Sequence, residues 1–539
     1  MTRLPGFPRA RLFAALLWGV FSAAASTVTF HGGAGCVGGS CATVERDGYR
    51  MLVDCGTAYG DAADRPQTNA ACGFPFDPRR YGDLLLTHAH QDHAGRVPEL
   101  FHSGFTGTVW TTEASRKLLE VSWRSYVVYD MCTVRNWRWT RQGKKAGTRV
   151  HWREACEWSR KIAPGNLGLF TGTFGELQKN LGLTPLASSY AVACRTCQDL
   201  ELQDMMGRVK GVAFGEPLRR GPFTVTFAPV KHLPGAAAIR VADAEGACVF
   251  SGDLGSRRSR LVTAIEPVPK ADAVFIESTY GDAALGTPEE TAREYARFRE
   301  VVGRTVRAGG VAWIPAFALD RSQRVLLEVK RGMDEGTIPP ETPIHYLSPS
   351  SRAFMQLYVD NPGWFDVPDM ASVGPLFKRM RKTFSPRAKR KGGAILVTTS
   401  GMMDAGFSLK YVPDLVPEAS TAVCLVGYQS PGTCGAQLKA FAGKARPKEA
   451  FVRVKDGKGE RRIPVRASVH VFTCFSGHGD ARENEAWLAN NRDSAIYLVH
   501  GDAAALKSRA EGLRTRFGGA DVEVVRPGKP YRIVAKKKE

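Results

Sequence analysis

No apolar run in this chain reaches the roughly 20 residues that a membrane-crossing helix needs. The longest, Leu12 to Ala25, falls short, so the mature form is expected to be soluble, with no membrane partner. That run follows Arg3, Arg9 and Arg11 and ends in Ala23-Ala24-Ala25, which reads either as an export signal or as a mis-assigned start ahead of a first strand near Val28. A disulfide framework is also missing: the twelve cysteines stand mostly alone, as in Val53-Asp54-Cys55-Gly56, which argues against a stapled secreted scaffold. Unpaired thiols belong in a reducing interior, so we expect a cytoplasmic protein, with export as the alternative. Cys194-Arg195-Thr196-Cys197, taken with Cys132 and Cys156, is a set that could hold a structural zinc, although ordinary thiols are the favoured reading. Acidic residues are short as well, 53 against 74 basic ones, and the resulting formal charge of +21 points to a polyanionic partner.

Histidine is scarce, eleven in 539 residues, yet four metal-type side chains crowd the run His88-Ala89-His90-Gln91-Asp92-His93 directly after Leu84-Leu85-Leu86. In a strand with a period of two, His88 and His90 project from one side and reach one ion. Asp92 and His93, where the chain turns toward a helix, face a second. Nitrogen and carboxylate donors without thiolate suit zinc, less exclusively manganese or iron. The run therefore reads as a metal-dependent hydrolase. Further metal-type residues fall at strand-like ends: Asp54, His232, Asp253, His478 and His500. His31, His102, His151, His345 and His470 have no motif context and read as structural.

Strand signals at Thr27 to Phe30, Tyr49 to Val53, Leu84 to Thr87, Phe223 to Val230 and Ala247 to Phe250 give way after Ala273 to alternating strand and helix. Pro288 to Arg307 carries Tyr295, Phe298 and Val302 at helical spacing, and strands follow at Val311 to Ile314, Ala394 to Val397 and Ala422 to Val426. The basic stretch Lys378 to Lys391, with Pro386, reads as a loop. Short strands at Val469 to Phe472 and Ile496 to Val499 are expected to complete the first domain. Residues 113 to 215 are rich in Trp, Arg and Cys. Trp123, Trp137, Trp139, Trp152 and Trp158 could stack on bases, but packing of an inserted lobe is the better reading.

The order of metal-type residues resembles the metallo-β-lactamase fold. Glu277-Ser278-Thr279-Tyr280-Gly281, Phe475-Ser476-Gly477-His478 and Leu498-Val499-His500-Gly501 resemble the three signatures of its β-CASP nucleases, supported by Ile314-Pro315-Ala316-Phe317, Ser400-Gly401-Met402 and Gly427-Tyr428-Gln429. The resemblance implies an α/β fold: a metallo-β-lactamase αββα sandwich with an inserted α/β β-CASP domain. It divides the chain into a leader or mis-assigned start at 1–27, a first sandwich part at 28–275, the β-CASP domain at 276–455, and completion of the sandwich with a basic tail at 456–539.

Carried over, the resemblance gives one zinc to His88, His90, His232 and Asp253 and a second to Asp92, His93, Asp253 and His500, with manganese as a substitute. Asp54 would orient a ligand or water, His478 would protonate the leaving oxygen, and Glu277 would hold its tautomer. Lys231 stands where a small residue usually precedes the histidine and is a candidate phosphate contact, as are Ser400 and Gly401. The implied function is hydrolysis of single-stranded RNA, as endonuclease, 5′-exonuclease or both, with a homodimer as one state of assembly. A histidine at position 500 favours RNA over DNA within this family. A DNA nuclease of the same fold and a small-substrate hydrolase are the alternatives.

Overall fold

The computed structural model describes residues 25–58, 73–125, 202–259, 265–366, 368–386, 392–444, 449–456 and 459–535. Two seven-stranded sheets face each other. The first runs, edge to edge, Pro530–Ile533, Ser26–Gly32, Cys41–Arg46, Tyr49–Val53, Asp83–Leu85, Thr108–Thr112 and Val209–Val212. The second runs Val522–Val524, Ala495–Val499, Ala273–Glu277, Ala247–Phe250, Ala237–Ala242, Phe223–Pro229 and Leu218–Arg220. Alternation fixes which side chains meet between them: Val28 and Phe30 from one sheet pack with Phe250 and Phe275 from the other, Phe30 and Phe275 having ring centroids 5.2 Å apart. Ala273–Glu277 is buried on both faces. Its Ala273 and Phe275 enter the layer between the sheets, while Val274 and Ile276 face the helical side with Leu506 and Leu513. Helices thus cover the outer faces of the sandwich.

From Glu277 the chain leaves the sandwich and builds a third sheet, Ile344–Tyr346, Ala394–Thr398, Val311–Pro315, Thr421–Leu425 and Ser468–Val471, in which every pairing is parallel. It returns at Ala495–Val499, which pairs in parallel with Ala273–Glu277. The strand at Ser468–Val471, which the sequence reading assigned to the first domain, instead adds to the edge of this inserted sheet beside Thr421–Leu425. A histidine follows both late strands, and neither pattern reveals which neighbour a strand will take. The helix Pro288–Arg307 has the expected apolar stripe, and a Thr287–Glu290 capping box fixes its start. Its Phe298 is fully buried edge-on to Phe472 and Phe475, with centroids 5.2 and 4.8 Å away, so Phe298→Ala should lower stability by about 3–5 kcal/mol. A fall in the urea midpoint of the full chain would measure it.

Two other expectations change. The strand after Gly82 ends at Leu85, so His88 and His90 lie beyond it in irregular chain and a helical turn start, and their convergence is set by the loop rather than by strand alternation. The basic stretch begins inside a helix, Gly374–Arg379, rather than wholly in a loop. Trp123 is a packing residue: it is buried and its indole N–H donates to the Ala94 carbonyl at 3.2 Å. Trp137, Trp139, Trp152, Trp158, Cys132, Cys156, Cys194 and Cys197 lie outside the described residues. Among the described residues no helix is long and apolar enough to cross a membrane.

Candidate metal centre

The histidine run is pinned by main-chain bonds. Asp92 O accepts from Ser40 N at 2.9 Å, His93 O from Cys55 N at 2.7 Å, and Gln91 O from Thr57 N at 2.8 Å. The helical turn Gln91–Ala94 therefore lies flat against the segment after Tyr49–Val53, so close that a Cβ on Gly56 would fall 1.6 Å from Asp92 O. Only glycine fits there. Gly56→Ala is expected to push the turn outward, destabilise by about 1–3 kcal/mol or more, and weaken metal binding through Asp92 and His93. Metal content alongside thermal unfolding would check both effects.

Asp54 adopts a left-handed φ of 58°, which turns its carboxylate inward. There it accepts from the Thr87 amide at 2.8 Å, the Thr87 hydroxyl at 2.9 Å and His93 Nδ1–H at 2.7 Å. With Nδ1 holding the proton, His93 points Nε2 toward Asp253 Oδ1 at 3.2 Å. His500 follows Ala495–Val499, with Nε2 3.4 Å from Asp92 and Nδ1 3.5 Å from Asp253 Oδ1. On the other side of Asp253, Oδ2 lies 3.5 Å from both His88 Nε2 and His232 Nε2. His90 Nδ1 is 3.2 Å from His88 and 3.1 Å from His232. Two donor groups result, His88, His90, His232 and Asp253 in one and Asp92, His93, Asp253 and His500 in the other. Within each group the ligand atoms lie within 4.8 Å of one another.

The electrostatics favour cations. Burial pushes His88 and His232 well below the ordinary histidine value, keeping them neutral. Burial alone would raise Asp253, but His500, His93 and His478 hold it well below the usual carboxylate range. Burial likewise opposes a charged His93, yet Asp253 and Asp54 raise it well above its ordinary value, marking a position that attracts positive charge. Neutral imidazoles and an ionised carboxylate are the forms that bind metal. Asp253 Oδ1, His93 Nε2 and His500 Nε2 are buried without a hydrogen bond, so ligand atoms of the second group are left free for an ion. The donor set, nitrogen and carboxylate oxygen without thiolate, fits a divalent metal of the zinc type.

A third group joins Asp253, Glu277 and His478. Glu277 is buried at the end of its strand, accepting from Leu254 N at 2.7 Å and the Thr279 hydroxyl at 2.5 Å, and its Oε1 lies 3.1 Å from His478 Nδ1. Burial would lower His478, but Glu277 and Asp253 outweigh it and raise its pKa. The His478 side chain is 17% exposed, whereas those of His88, His232 and His500 are at most 2% exposed, so solvent reaches His478 more readily than these three.

Two of the three phosphate candidates already have partners at the groups that would bind. Lys231, at φ 56°, pairs with Asp366 at 2.8 Å. For the backbone N–H groups at 400 and 401, Ser400 N donates to Ala405 O at 3.3 Å, while the Ser400 hydroxyl is hydrogen-bonded to Asp404 and the Gly401 carbonyl accepts from Gln429 at 3.0 Å. Thr87 and Thr279, each bridging a carboxylate toward a site histidine, were not picked out from the sequence because a hydroxyl carries no metal signal. Their place beside His88 and Glu277 was the available clue.

Three families match the chain. The metallo-β-lactamase superfamily matches residues 34–162, the Beta-Casp domain 322–438, and the Zn-dependent metallo-hydrolase RNA specificity domain 462–527. The chain is similar to Ribonuclease TTHA0252 of Thermus thermophilus, 29% identical over 507 residues that cover 91% of this chain and 96% of that protein. It is also similar to Transcription termination factor FttA of Methanocaldococcus jannaschii, at 27% over 525 residues, 91% of this chain and 69% of that protein. The FttA of Methanococcus maripaludis is 27% identical over 502 residues, covering 88% and 67%.

Proposed function

This chain belongs to the β-CASP branch of the metallo-β-lactamase fold, and from that premise we propose that it is a two-zinc ribonuclease hydrolysing phosphodiester bonds in single-stranded RNA. One observation carries the reading: two largely buried donor groups share Asp253, one oxygen facing each, beside a partly exposed histidine backed by a carboxylate. His88, His90, His232 and Asp253 would hold one ion, and Asp92, His93, Asp253 and His500 the other. Such ions supply Lewis acidity toward water and the phosphoryl group.

The chain's own residues do the rest. Asp54 holds His93 in the tautomer that leaves Nε2 as donor, and Gly477 O does the same for His232 through Nδ1 at 2.9 Å. Glu277 occupies His478 Nδ1, so His478 Nε2 is free to give a proton to the leaving oxygen. Lys231, through its ammonium group, and Ser400 and Gly401, through their backbone N–H groups, are the proposed phosphate contacts. Cys41, Cys55, Cys248, Cys424, Cys434 and Cys474 are buried thiols outside any disulfide, which supports a reducing cytoplasm.

Metal-loaded protein should digest 5′-labelled single-stranded RNA, leave DNA of the same sequence intact, and stop when EDTA is added. The product ladder then distinguishes endonuclease from 5′-exonuclease action. Equal cleavage of both strands would turn the reading to a DNA nuclease of the same fold, and no cleavage of either to a small-substrate hydrolase. Elemental analysis is expected to give about two zinc equivalents per chain. A third that disappears with Cys194 and Cys197 would assign a further zinc to Cys132, Cys156, Cys194 and Cys197.

A further inference from the structure

His232 is gripped from the inserted unit. Arg324, in the helix Arg321–Asp334, donates from Nη2 to the His232 carbonyl at 2.9 Å. Its Nε lies 2.5 Å from Asp320, and its Nη1 is buried without a hydrogen bond. Asp320 also accepts from the Tyr358 hydroxyl at 3.1 Å, and its charge is felt at His90. Arg324 and Asp320 are only 6% and 3% exposed, and Asp320 sits at a φ of 67°.

Both features are unfavourable in themselves. A non-glycine residue in the left-handed region is strained by about 1 kcal/mol or more. A buried ion pair, for its part, is often no more stabilising than well-packed apolar residues of the same volume. A strained, buried pair directed at the main chain of a ligand-bearing turn therefore calls for a role beyond stability. The adjacent Lys231, also left-handed, is tied to Asp366, so the inserted unit fixes both residues of this turn. The second donor group is framed differently. Asp92 and His93 hang on Ser40 and Cys55, and His500 N donates to Gly33 O at 2.8 Å, all within the sandwich.

We propose that Arg324 and Asp320 are positioning residues for His232: through the Arg324–His232 hydrogen bond, docking of the inserted unit sets the geometry of the His88, His90, His232 and Asp253 pocket and leaves the Asp92, His93, Asp253 and His500 pocket independent of it. Asp320 holds the guanidinium in place and balances a charge that would otherwise face a cation. The proposal rests on the two-pocket reading above.

The test is equilibrium dialysis of the full chain against zinc at buffered free concentrations, with cobalt(II) absorption as a second readout of ligand geometry. The combined change Asp320→Gly and Arg324→Met removes both charges together, and glycine takes the left-handed φ freely, so this variant is expected to keep the parent's circular dichroism. One metal equivalent should bind about tenfold or more weakly, and the other as in the parent. Arg324→Lys keeps the charge balance, loses the reach to His232, and should weaken the same equivalent. His232→Ala should do likewise, and adding the combined change to it should bring no further loss. Unchanged binding of both equivalents, or equal weakening of both, overturns the proposal. A His232→Ala chain that retains both equivalents overturns the two-pocket reading itself.

Discussion

His478→Ala is expected to slow RNA cleavage by about a hundredfold or more, the usual loss for a general acid, while the purified protein keeps the parent's metal content. The reasoning is geometric. His478 has its Nδ1 3.1 Å from Glu277 and stands 3.9 Å from the nearest Asp253 oxygen, whereas the histidines of the two donor groups approach Asp253 or another member of their group within 3.5 Å. It is also more exposed than His88, His232 and His500, which leaves it accessible to a substrate, although His90 and Asp92 are partly exposed too. Measured under single turnover, the variant should lose kcat with little change in RNA affinity. Loss of a metal instead would make His478 a ligand alongside Asp253 and Glu277 and exchange its role with that of His500. Intact cleavage would remove the general-acid assignment and favour a small-substrate hydrolase.

Asp253→Ala should abolish metal binding in both groups together and reduce cleavage by at least about a thousandfold, since the several kcal/mol of charge stabilisation supplied by metal would be lost with it. Asp253 is the residue common to both groups, with a separate oxygen toward each. Without it, Asp92 remains beside His93 and His500, but no carboxylate is shared between the two groups to screen two cations. Elemental analysis should show both equivalents gone, with circular dichroism reporting that the sheets persist. Retention of one equivalent would mean that Asp253 serves a single ion.

The donors were legible because their chemistry is written in residue type and because each follows a strand, where a sandwich gathers loops at one edge. Their manner of convergence was not. Strand alternation was the wrong reason for pairing His88 with His90: the strand stops at Leu85, and what brings the two together is a loop braced by main-chain bonds from Ser40, Cys55 and Thr57. Such bonds leave no mark in side-chain pattern, apart from the glycine they require at position 56. The clamp on His232 was hidden for the same reason. Nothing in the sequence marks Asp320 and Arg324, at the start of a helix, for burial, and only the packing of one unit on the other buries them. The destination of Ser468–Val471 was likewise a question of neighbours, which the order of strands along the chain leaves open.

Ala273 pairs with Ala495, and Glu277 with Val499, so everything from Ser278 to Ser494 is an excursion between two adjacent strands. On a ribosome this sets an order of events. The histidines of the early run, and Asp253 with them, emerge long before the strand that carries His500 can dock, and closing so long a loop is a late step in folding. A nascent chain therefore holds only part of the second and third residue groups, without His500 and His478. The second donor group is complete only once the residues around His500 have been released and their strand has paired with Ala273–Glu277.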